Sequence, residues 1–125
     1  MLRLLSRRAT LAAIALALSL FGAIPIANCA EVTFVLRITN GHLPESMRLI
    51  RVKQNDVVKL EWSTDKPITI HLHGYDIEKA IAPGAVTEMS FAARATGRFT
   101  VEPHLATQSG GHAHGDVLVT IEVYP

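Results

Sequence analysis

From residue 31 onward the chain alternates apolar and polar positions with a period of two. Val32, Phe34, Leu36 and Ile38 alternate with Thr33, Val35, Arg37 and Thr39, the pattern of a strand with one buried face. Asn40-Gly41 is a turn signal. A second strand runs through Met47, Leu49 or Ile50, and Val52, with Met47 expected in the core, and stops at Lys53-Gln54-Asn55-Asp56. Val57, Val58, Leu60 and Trp62 make a third, ended by Ser63-Thr64-Asp65-Lys66-Pro67, and Ile68, Ile70 and Leu72 a fourth, ended by Gly74. After the Pro83-Gly84 turn, Val86, Met89 and Phe91 lead to Gly97. Phe99 and Val101 then run into a loop rich in glycine and histidine from His104 to Gly115. Val117, Val119, Ile121 and Val123 close the pattern. Asp76 to Ile81 has room for one helical turn, and no helical stripe exceeds two turns. About seven to eight short strands with turns at this spacing predict an all-β fold, an antiparallel β-sandwich spanning 31–125 as one domain.

The first thirty residues read differently. Met1 to Arg8 carries three arginines, and Ala9 to Ala27 is apolar and free of charge. Basic residues, an apolar stretch and small residues make an export signal over 1–30. The apolar part is Ala-rich and interrupted by Ser19, Gly22 and Pro25, which suits a permanent membrane span poorly. Ser6-Arg7-Arg8-Ala9-Thr10-Leu11 is similar to a twin-arginine motif, a route that exports folded and often cofactor-loaded proteins. Ile26-Ala27-Asn28-Cys29 is close to a lipoprotein box, although Asn28 suits a lipidated Cys29 poorly; cleavage near Ala30 is the alternative. The predicted destination is the periplasm.

Charge and cysteine usage narrow the chemistry. With Arg3, Arg7 and Arg8 removed, nine basic residues face all eleven acidic ones, and the formal charge of +1 becomes −2. A slightly acidic domain is a poor binder of nucleic acid. No transmembrane span is expected after the signal. The single cysteine, Cys29, stands at the end of the signal, so the domain lacks thiolate–metal and disulfide chemistry. All six histidines fall after it.

His71 and His73 are two residues apart on a strand, so both leave the same face with Cα atoms about 7 Å apart. Glu102, His104, His112 and His114 gather around the late loop. Imidazole and carboxylate are ligands for Cu(II), Zn(II) and Ni(II), and the lack of thiolate removes the softer choices. Copper is the expected ion, with zinc as the alternative, and the candidate ligands are His71, His73, Glu102, His104, His112 and His114. Asp76 is a candidate to orient an imidazole. His42, after the first turn, is expected to be solvated. No serine lies in the context of a nucleophile elbow.

The order of these pieces resembles the cupredoxin family of small Greek-key β-sandwiches. The resemblance is carried by Val52-Lys53-Gln54-Asn55-Asp56-Val57-Val58-Lys59-Leu60, Ile70-His71-Leu72-His73-Gly74-Tyr75-Asp76, Ala82-Pro83-Gly84, Phe91-Ala92-Ala93, Thr96-Gly97-Arg98-Phe99-Thr100-Val101 and Val117-Leu118-Val119. It covers nearly all of 31–125 and looks closest to periplasmic plastocyanin-like and iron-transport-associated domains. The family's blue site implies a first histidine at His71 or His73, and a cysteine just after Val101, where this chain has Glu102-Pro103-His104. It implies a second histidine at His112 and a methionine where Ala113 or His114 stands. The missing thiolate removes the bond that makes a blue electron-transfer centre.

The expectation is a periplasmic protein that sequesters, buffers or transfers Cu(II) through a non-blue His/Glu site, with an envelope protein as partner for transfer. The rival is a metal-independent β-sandwich that docks to an envelope partner. A small metalloenzyme acting on oxygen species is a third reading, behind the non-enzymatic ones.

Overall fold

The computed structural model describes residues 29–106 and 112–125, and of 105–106 and 112–114 it describes the backbone pairing alone. The expected signal falls outside the described residues up to residue 28. Nine strands follow in order: β1 (Glu31–Ile38), β2 (Leu49–Lys53), β3 (Val57–Thr64), β4 (Ile68–Leu72), β5 (Ile77–Ile81), β6 (Thr87–Ala92), β7 (Gly97–Ala106), β8 (His112–His114) and β9 (Val119–Tyr124). Eight of them have five residues or more, and β8 has three.

The strands form two sheets, β1-β3-β6 and β2-β9-β7-β4-β5, with β8 on the same side of β7 as β9. Most pairs are antiparallel, as β4 is with β5 and with β7, and β7 with β9. Two pairs are parallel, β1 with β3 and β2 with β9. These unite strands that are not neighbours in sequence: β2 leaves for the second sheet, and β3 returns beside β1 in the same direction. The sandwich is therefore mixed, which adjusts the purely antiparallel expectation without changing the class.

The core lies between the sheets. Leu36 and Ile38 of β1, Val58, Leu60 and Trp62 of β3, and Met89 and Phe91 of β6 are buried against Ile70, Leu72, Val101, Val119, Ile121 and Val123 of the second sheet. Each such side chain, fully withdrawn from water, contributes about 1.5–3 kcal/mol. The buried Asp56 carboxylate accepts the Lys53 N–H at 2.9 Å and the Ala30 N–H at 3.2 Å, tying the start of β1 to the β2–β3 turn.

Three expectations are corrected. Met47 ends a 3-10 turn and is exposed, because β2 starts two residues later and buries Ile50 and Val52. Asp76 to Ile81 holds no helical turn: Ile77–Ile81 is an edge strand whose hydrogen bonds go to β4. A spacing of four between Ile77 and Ile81 fits either period, and pairing with β4 decides it. The histidine-rich segment does not begin as a loop at His104, since β7 runs on to Ala106. Pro103 permits this because its carbonyl accepts the Gly115 N–H at 2.9 Å. In an antiparallel ladder a residue's N and C=O face the same side. The N–H that proline lacks is thus missing from the gap between β9 and β8, and the β4 ladder is intact.

Candidate metal centre

The alternation that buries Ile70 and Leu72 turns His71 to the outer face of the second sheet, and the alternation that buries Val101 does the same for Glu102 and His104. Register then brings the two strands together: His71 pairs with Glu102, and Thr69 with His104. His73 is the first residue past β4, yet its N–H still bonds the Thr100 carbonyl at 2.9 Å, which keeps it beside β7. Gly74 and Asp76, with φ of +86° and +53°, then turn the chain back into β5.

The result is a compact group of rings. The centroids of His71 and His73 are 4.4 Å apart, and those of His71 and His104 5.2 Å. The side chains of His71, His104 and Glu102 are only 17%, 18% and 18% exposed, and that of His73 36%. Imidazoles this shielded on an outer sheet face are not merely solvated surface groups. Each has a carboxylate neighbour. His71 Nε2 lies 3.2 Å from Asp76 Oδ1, His73 Nε2 lies 3.2 Å from Glu102 Oε2, and His104 Nδ1 lies 2.9 Å from Glu78 Oε2. Thr100 Oγ1 donates to Glu102 Oε1 at 3.1 Å, which orients that carboxylate toward His73.

Four of the six expected ligands, His71, His73, Glu102 and His104, thus meet in one place. Backbone register sets His114 opposite His104 and His112 opposite Ala106; their side chains lie outside the described residues. Glu78 was not singled out in the sequence, because a helical turn would have carried it away from the histidines. As a strand residue it stands opposite His71. Asp76, a candidate for orienting an imidazole or for the turn itself, sits in the turn with φ +53° and also lies 3.2 Å from His71 Nε2. His42 is exposed in the turn after β1. Trp62 is fully buried, and Tyr75 packs against Phe91 and Phe99 with ring centres 4.6 and 4.9 Å away.

The donors suit a metal that accepts nitrogen and oxygen, such as Cu(II) or Zn(II). Among the described residues the sulfur atoms belong to Met89, buried in the core, Met47, exposed on its 3-10 turn, and Cys29, exposed before β1. Among the described residues, no three His, Asp or Glu side chains stand ready as a metal cage. The imidazoles are engaged with carboxylates, each through one ring nitrogen. Beside His104 a cavity of about 650 Å³ opens at the end of the sandwich, lined by Thr69, Ile68, Ala80, Ile81 and Lys66 among others. Among the described residues no helix is long and apolar enough to cross a membrane.

No protein-family model matches the chain, and no curated protein matches it. Solved structures do. A chain of a heme-copper terminal oxidase dimer aligns with a TM-score of 0.59 at 17% identity, covering 82% of this chain and 69% of that one. A copper binding protein in its apo form aligns at 0.57 and 10% identity, over 77% and 90%. The periplasmic domain of subunit II of cytochrome oxidase of Bradyrhizobium japonicum aligns at 0.55 and 16% identity, over 77% and 86%. At such identities the likeness is one of fold. Two facing sheets, a histidine-bearing β4 paired with β7, and these neighbours lead to one conclusion: the chain is a cupredoxin-like β-sandwich.

Proposed function

We propose that the protein is an exported, periplasmic copper-binding protein that sequesters, buffers or hands on Cu(II) through a non-blue site. The observation that carries this reading is the gathering of His73 and His104 around His71, their ring centres 4.4 and 5.2 Å from its own, with Glu102 beside His73. His71, His73 and His104 would hold the ion as nitrogen ligands and Glu102 as an oxygen ligand or close support, with His112 and His114 completing the set. Copper is cargo here, and zinc is the competing ion. The basic and apolar leader supports export, and the copper-related and periplasmic proteins of like fold support the compartment and the metal. A signal at 1–30 followed by the domain at 31–125 is part of the proposal, with Cys29 as an alternative lipid anchor. An envelope protein is the expected partner for transfer.

A second reading has its own observation. Every clustered imidazole already pairs with a carboxylate, and a metal-independent docking module would look the same. Titration of the purified protein with Cu(II) against a competing chelator separates the two. The copper reading predicts one tightly bound ion per chain and loss of that binding when His71 and His73 are both replaced by Ala. Binding that survives the double replacement, or no stoichiometric binding at all, leaves the docking module.

A further inference from the structure

Glu78 makes a contact that its place in the sheet does not require. It lies on the edge strand β5, with its Cα opposite His71 of β4. Its carboxylate reaches instead to His104 Nδ1, at 2.9 Å. His104 is on β7, two strands away, with β4 between them. The side chain must therefore cross over β4 near the row of Thr69, the register partner of His104. An edge-strand glutamate whose side chain is 55% exposed gives up rotamer freedom to do this, and water would solvate it equally well elsewhere. A carboxylate accepts a hydrogen bond from an imidazole N–H, so the contact favours the His104 tautomer that carries its proton on Nδ1. The nitrogen that can then ligate a metal is Nε2. The same logic applied to the Asp76 contact, which is at Nε2 of His71, directs that ring to ligate through the other nitrogen. The two rings thus differ in the atom that their carboxylate contacts leave for a metal.

We propose that Glu78 is a positioning residue of the copper site: it holds the proton of His104 on Nδ1 and so selects Nε2 as the ligating atom. This rests on the copper reading of the cluster, and it adds a residue from β5 to a proposed site that otherwise draws on β4, the turn after it, β7 and β8. Carboxylates placed behind ligating histidines raise metal affinity by fixing tautomer and ring orientation.

The test compares Glu78→Ala and Glu78→Gln in the full chain, with two readouts. The first is the His104 tautomer in the metal-free protein, from imidazole 15N chemical shifts. The second is Cu(II) affinity by chelator competition. The wild type is expected to show the Nδ1–H form. Glu78→Gln keeps an oxygen that accepts the Nδ1 proton, so it should retain that form and most of the affinity. Glu78→Ala should mix the tautomers and weaken copper binding by about 10- to 100-fold. An alanine variant with unchanged tautomer and affinity overturns the proposal. So does a glutamine variant that loses as much affinity as alanine while keeping the tautomer, since Glu78 would then be a direct ligand. A wild-type chain that binds no copper would sink the functional reading alone; the metal-free tautomer comparison would still decide whether Glu78 sets the ring.

Discussion

At the residue scale, the turn that carries His73 depends on Gly74. Its φ of +86° lies in the left-handed region, and a Cβ there would stand 2.5 Å from Phe99 Cδ1. Phe99 cannot retreat freely, because it packs on Tyr75, which in turn packs on Phe91. Gly74→Ala should therefore lose about 1–3 kcal/mol from combined strain and overpacking, read as a lower denaturation midpoint. The turn also positions His73 and Asp76, so the variant should weaken Cu(II) binding as well. On β4 the two faces can be separated by neighbouring residues. Ile70 is fully buried, and Ile70→Ala should cost about 2–5 kcal/mol through lost burial and the cavity left behind. His71→Ala, one residue on and facing outward, should change the urea midpoint little while reducing copper affinity. Comparable destabilisation by both would contradict the assignment of faces.

At the element scale, the second sheet carries an ion-pair row separate from the histidine rows. Arg51 of β2 and Arg98 of β7 both contact the Glu122 carboxylate of β9, the first through Nε at 2.8 Å. Register places all three in one row. Hydrogen bonds from Arg51 and then Arg98 hold the Glu122 carboxyl below the usual carboxylate range. A lowered folded value means that the stabilisation is present above the unfolded value of about 4.3 and is lost as pH falls through the folded one. The stability difference between wild type and Glu122→Gln should be constant above about pH 6 and shrink toward zero in acid. Denaturant midpoints from pH 3 to 7 measure it, and a difference that grows in acid would contradict the assignment. The strands themselves were legible to different degrees. β1, β3 and β9 alternate cleanly because each buries one face against a single core. β5 was hidden, since an edge strand with exposed Glu78, Lys79 and Ala80 between Ile77 and Ile81 shows no period of its own. The continuation of β7 past Pro103 was hidden too, because a proline there reads as a stop until the gap between β9 and β8 is known.

At the scale of the whole molecule, the sandwich acts as a frame that brings β4 and β7 side by side with their histidines outward. The chemical character of the site was legible, since residues 31–125 hold six histidines and no cysteine. Its membership was only partly so: His71 and His73 share a face by spacing, but their meeting with His104 and Glu102 depends on a register between strands thirty residues apart. Glu78 depends on a strand that the pattern did not reveal. If the cluster binds copper, binding must stabilise the fold by mass action, with about 2.7 kcal/mol expected at a free concentration one hundred times the dissociation constant. Thermal unfolding with and without Cu(II) should show the midpoint rising with metal, and no rise for the variant lacking His71 and His73. The most direct test is electron paramagnetic resonance of the protein loaded with one Cu(II), resolved for nitrogen couplings. A type 2 spectrum with at least three imidazole nitrogens, reduced when His71, His73 or His104 is replaced, is the predicted result. A single coupled nitrogen, or a spectrum unchanged by those replacements, would contradict the placement of the site on β4 and β7.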